Sequence, residues 1–139
     1  MSDDDWIASR WAADWESTGA NPAQGDRICA DLVRRHREPH RAYHTLEHLR
    51  ECFTLLDEST ERTVRPHEVA LAIWFHDAVY DTRAGDNEQQ SANLAERTLA
   101  DAGLAIEVCH RVRALVRATQ HGVEQPDDEA RTLVTEMSD

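Results

Sequence analysis

His76 and Asp77 stand side by side between two apolar stretches, Ala70-Leu-Ala-Ile-Trp-Phe75 before them and Ala78-Val-Tyr80 after. Burying an imidazole and a carboxylate together is costly unless something compensates them. A metal ion compensates both. Upstream, Tyr43-His-Thr-Leu-Glu-His48 places two more imidazoles four residues apart, and downstream His121 follows another apolar helical stretch. These residue types predict a metal site, and with it an enzyme. Adjacent side chains on a helix diverge by about 100°, so His76 and Asp77 can reach one ion only beyond a helix end or across a cleft. Ligands from distant segments are therefore required. His48 and His76 offer borderline nitrogens and Asp77 a hard oxygen, a mixture that suits Mn²⁺, Fe²⁺, Ni²⁺ or Zn²⁺ better than Ca²⁺. An ion held by so few protein ligands has room for water or a phosphate oxygen, and it brings the pKa of that water towards neutrality. The chemistry read from these residues is hydrolytic.

The elements that must position these groups are helical. Only five Gly and four Pro occur, and no stretch alternates apolar and polar residues as a half-buried strand would. An all-α domain follows. Ile7, Trp11 and Trp15 share one face of a first helix ending near Gly19, and Pro22 opens a second carrying Ile28, Leu32 and Val33. Pro39 breaks the chain, so His36, His40, His44 and His48 do not form one helical stripe. Thr45 is the predicted N-cap of a third helix, with His48 in its first turn and Leu49, Cys52, Phe53 and Leu56 inward. Pro66 opens a fourth, with Val69, Ala70, Ile73 and Trp74 inward and its end near His76-Asp77. Asp86 or Asn87 caps a fifth through Ala92, Leu94 and Leu99 to Gly103, and a sixth spans about Ile106 to Thr119. Pro126 opens a seventh with Ala130, Leu133, Val134 and Met137 inward. No internal repeat, low-complexity tract or linker interrupts them.

At 139 residues the chain fits a single domain, 1–139, long enough to bury a core. No apolar run reaches the roughly 20 residues of a membrane span. The acidic start Met1-Ser-Asp-Asp-Asp5 is unlike a secretory signal, which predicts a cytoplasmic protein. A net charge of −12 argues against polymeric nucleic acid or an anionic membrane as partner, but not against a small phosphorylated substrate beside a bound cation. Cys29, Cys52 and Cys109 form no Cys-x-x-Cys pair and read as reduced, buried small hydrophobes.

The order of these motifs resembles the HD superfamily of metal-dependent phosphohydrolases. The resemblance is narrower to its small predicted-phosphohydrolase branch, through Glu38-Pro-His-Arg-Ala-Tyr-His-Thr-Leu-Glu-His48, Trp74-Phe-His-Asp-Ala-Val-Tyr-Asp81, Asn87-Glu-Gln-Gln-Ser-Ala92 and Ala118-Thr-Gln-His121. It touches most of the chain between residues 38 and 121. It implies an HD-type helical domain that hydrolyses a small phosphorylated compound, with a nucleotide the leading substrate class, and one divalent ion (Mn, Fe, Ni, Zn or Mg). His48, His76 and Asp77 correspond to metal ligands. The family's last ligand is an Asp on a later helix, in a segment resembling Asp-x-Asp-Leu. Asp139 alone stands in that place, and as the final residue it leaves the expectation of a domain short of its C-terminal helices, or of an ending that departs from the family.

Other residues carry two readings each. His44 lines the phosphate site or binds metal, or else hydrogen-bonds a backbone carbonyl at a helix start. Arg41 holds a substrate phosphate through its fork of donors or pairs with Glu38 or Glu47. Glu88 orients water or a ligand imidazole, or complements a helix dipole. His121 caps a helix end, and the resemblance makes it a site residue. His36, His40, His67 and His110 read as surface or helix-end histidines, and the four Trp as core. Two other classes compete with the hydrolase. One is an inactive or weak helical module that binds a nucleotide or a protein; the other is an oxygenase with two irons. Self-association into a homo-oligomer is compatible with the sequence.

Overall fold

The computed structural model describes residues 3–38, 46–58, 65–80 and 85–118. These form six helices and no strand: α1 (Asp3–Glu16), α2 (Pro22–His36), α3 (Leu46–Glu58), α4 (Pro66–His76), α5 (Asn87–Asp101) and α6 (Ile106–Ala118). The all-α expectation holds. The expected seventh helix from Pro126, and the Thr45 cap, lie outside the described residues.

Local chemistry sets the boundaries. Pro22 and Pro66 open α2 and α4, where a missing N–H is harmless and φ is already helical. The Asn21 side chain adds a cap by accepting from the backbone N–H groups of Ala23 and Gln24. Beyond α5, Gly103 takes φ +91°, a left-handed value open to glycine, and its N–H donates to the Ala100 carbonyl.

The buried apolar side chains form one cluster, and α4 runs through it. Every residue from Val69 to His76 is buried. The sequence reading gave α4 a single inward face; the structure corrects this, because a helix apolar on all sides belongs at the centre of a bundle. Each fully buried Leu, Ile or Phe there contributes roughly 1.5–3 kcal/mol of transfer free energy. Trp74 lies among Phe53, Trp11 and Trp6, with ring centroids 4.9, 5.3 and 6.2 Å away.

α1 is held against its neighbours by polar contacts. Nη1 of Arg10 donates to both oxygens of Asp57 in α3 at 2.8 and 2.9 Å, and the guanidinium covers the Phe53 ring at 4.4 Å. Against α2, the Trp11 indole donates to the Gly25 carbonyl at 2.9 Å. A β-carbon at Gly25 would stand 2.3 Å from the Trp15 ring, so only glycine admits this approach.

The last three helices alternate in direction. Ser91 in α5 meets Val79 just past the end of α4, so α5 starts where α4 stops. α6 then returns, and Arg111 grips Glu68 in the first turn of α4 at 2.7 and 2.8 Å. α6 thus runs along α4 in the same sense, and Ala118 stands at the end of the bundle that carries His76.

Candidate metal centre

His48 and His76 come from two helices that pack together, and both are buried. His48 sits in the first turn of α3, whose apolar residues Leu49, Cys52, Phe53 and Leu56 turn that face inward. His76 is the last residue of α4.

The end of α4 solves the problem posed by neighbouring ligands. Asp77 is its C-cap, at φ −114° and ψ 17°, outside the helical region. That break swings the carboxylate back to the side of His76. Oδ2 of Asp77 lies 3.1 Å from Nε2 of His76 and 3.4 Å from Nε2 of His48, and the two Nε2 atoms are 3.4 Å apart.

These separations have a physical meaning. The Asp77 N–H turns to the Phe75 carbonyl where α4 ends. Nδ1 of His76 lies 2.7 Å from the Ile73 carbonyl. A carbonyl only accepts, so Nδ1 carries the hydrogen, and Nε2 of the neutral ring presents a lone pair. That lone pair faces a second imidazole nitrogen and a carboxylate oxygen. A hydrogen on Nε2 of His48 or a cation between the three atoms satisfies this arrangement. The edges of this triangle match the roughly 3.0–3.4 Å that separates ligand atoms about 2.1 Å from one ion, for angles from right-angled to tetrahedral. The residues present therefore fit a divalent ion.

A thiol stands beside them. Cys52 lies one helical turn after His48, fully buried, with Sγ 3.7 Å from Nε2 of His48. The candidate ligand atoms of His48, Cys52 and His76 all lie within 4.8 Å of one another. Cys52 is buried as expected of a small hydrophobe, but its neighbours are the two imidazoles. The spacing His48-x-x-x-Cys52 was the available signal, since residues four apart share a helix face. Cys109 is buried as expected; Cys29 is only half-buried, and burial together with Asp26 pushes its thiol up to about 11.

The loop after Asp77 is clamped to α5. The Ser91 hydroxyl accepts from the Val79 N–H at 3.0 Å and donates to the Val79 carbonyl at 3.3 Å. Glu88 opens α5 one turn earlier and is half-buried, in the first-turn position that the dipole reading requires. Arg41, His44, His121 and Asp139 lie outside the described residues. His36, expected at a surface or helix end, ends α2 but is buried, with Nδ1 2.8 Å from the Leu32 carbonyl. His67 and His110 are exposed, and His110 lies 3.8 Å from Glu96. A cavity of about 530 Å³ lined by Ser17, Arg65, His67 and Leu104 lies at the start of α4. That is the opposite end of an 11-residue helix from His76, roughly 15 Å away.

No family model matches the chain, and no curated protein or solved structure does. No helix among the described residues is long and apolar enough to cross a membrane.

Proposed function

We propose that this protein is a metal-dependent phosphohydrolase of the HD type, acting on a small phosphorylated substrate with a nucleotide as the leading class. The observation that carries the reading is the convergence of Nε2 of His48, Nε2 of His76 and Oδ2 of Asp77 within 3.4 Å of one another. Two imidazoles from separate helices and an adjacent carboxylate are the donor set that the sequence pattern called for.

In this reading His48, His76 and Asp77 hold one divalent cation, with Asp139 as a further ligand. A cation bound there supplies Lewis acidity, which makes water nucleophilic near neutral pH and polarises a phosphoryl oxygen. Asp77 offsets part of the positive charge, and its side chain, 12% exposed, is the least buried of the three. The hydrogen bond from His76 to Ile73 fixes the imidazole in the tautomer whose Nε2 can ligate. Arg41, His44, Glu88 and His121 position the substrate or exchange protons.

A second reading has its own observation. The side chains of His48 and His76 are only 3% and 0% exposed, which suits a helical module that binds a nucleotide or a protein partner without turnover.

Metal analysis of the purified protein, followed by phosphate release across a panel of nucleotides and sugar phosphates, decides between them. One equivalent of metal with metal-dependent phosphate release supports the hydrolase. Binding without turnover supports the module, and neither metal nor turnover rejects the site.

A further inference from the structure

We propose that Cys52, as a thiolate, is a ligand of the same ion, and that the site therefore takes a thiophilic, borderline cation such as Zn²⁺, Co²⁺ or Fe²⁺ in preference to Mg²⁺ or Ca²⁺. The inference rests on the metal reading given above and specifies its first coordination sphere.

The geometry supports it in two ways. For a tetrahedral ion with sulfur about 2.3 Å and nitrogen about 2.1 Å away, S and N ligand atoms stand about 3.6 Å apart. Sγ of Cys52 and Nε2 of His48 are 3.7 Å apart. Equally, the two Nε2 atoms at 3.4 Å have the spacing that two nitrogens take on such an ion. His48 and Cys52 lie four residues apart on the buried face of α3, so one helix presents both donors without further rearrangement.

The chemistry then follows from ligand softness. A thiolate binds zinc, cobalt or ferrous ions well and magnesium or calcium poorly. Cys52 loses its proton to solvent as the ion enters, and the negative sulfur joins Asp77 in balancing the cation. His48, Cys52 and His76 supply three donors within 4.8 Å of one another from α3 and the end of α4, and Asp77 stands beside the two imidazoles.

Cobalt makes the two claims separable. Co²⁺ is titrated into the metal-free, reduced full chain, and the absorbance is recorded in the visible, where the bound ion shows ligand-field bands, and in the near ultraviolet, where thiolate-to-cobalt charge transfer appears. The expected result is both sets of bands in the wild type and in a Cys29→Ala/Cys109→Ala variant, whose only thiol is Cys52. In Cys52→Ser the near-ultraviolet band disappears while the visible bands remain. Its affinity for Co²⁺ falls at least roughly tenfold, the scale that even outer-sphere partners reach. Visible bands with no near-ultraviolet band in the wild type, or a near-ultraviolet band that survives in Cys52→Ser, would overturn the role of Cys52 and leave the metal site standing. No visible bands at saturating Co²⁺ would overturn the metal site itself. If Cys52→Ser does not fold by circular dichroism, the double variant alone carries the decision.

Discussion

The Trp74 indole donates to Oδ2 of Asp14 at 2.8 Å, joining α1 to α4 two residues before His76. Asp14 is buried, and the same oxygen receives Nε of Arg10 at 3.3 Å. A charge thus lies next to the aromatic core, on the helix that ends in the candidate site.

That placement gives a pH prediction. Burial raises the Asp14 carboxyl above its usual 3.8, outweighing the opposing pull of Trp74 and Arg10. A raised carboxyl means that the fold prefers the protonated form. The contribution of Asp14 to stability is greatest below 3.8 and declines as pH climbs through the raised value. Asp14→Asn keeps an acceptor for Trp74 and removes the charge. Urea unfolding from pH 4 to 7 should show the variant gaining on the wild type as pH rises. A constant difference across that range would remove Asp14 as the source.

Asp77→Asn preserves shape and removes the negative ligand. Metal content and phosphate release should both vanish while helical circular dichroism is retained. For the wild type, saturating metal at about a hundred times its Kd should add about 2.7 kcal/mol to unfolding, lost again on chelation. A variant that still binds metal and turns over would contradict the assigned ligand set.

Gly25→Ala tests the approach of α1 and α2. The new methyl would collide with the Trp15 ring, which has little freedom to move. It stacks on Trp11 with centroids 5.5 Å apart and donates to the Asn21 carbonyl at 2.9 Å. The expected loss is about 1–3 kcal/mol, read by chemical denaturation, despite the better helix propensity of alanine.

Ser91→Ala removes both hydrogen bonds that hold Val79. Two backbone groups lose their partner, at about 1–3 kcal/mol. Because Asp77 is two residues away, metal affinity should weaken along with stability. An unchanged dissociation constant for the metal would show that the clamp serves the bundle alone.

Much of this was legible in the sequence. Pro22, Pro66 and Gly103 mark helix edges by backbone chemistry, and the core residues of α1, α3 and α6 recur at helical spacing. The pairing of His48 with His76-Asp77 followed from the need for ligands on distant segments, and their side chains converge. What escaped depends on how elements meet. The all-round burial of α4 arises from neighbours on every side, which a one-face pattern does not convey. The Asp14–Trp74 bond spans 60 residues. Cys52 belongs to no Cys-x-x-Cys spacing, and its partner is the histidine one turn before it on α3.

The bond between His76 and the Ile73 carbonyl carries one more implication. The ring is aimed by the final turn of α4, so fraying of that turn and loss of the ligand nitrogen are a single event. If the site holds the proposed ion, its affinity is also a gauge of winding: whatever loosens the last four residues of α4 will be read out first as a weaker grip on the ion, before the rest of the bundle opens.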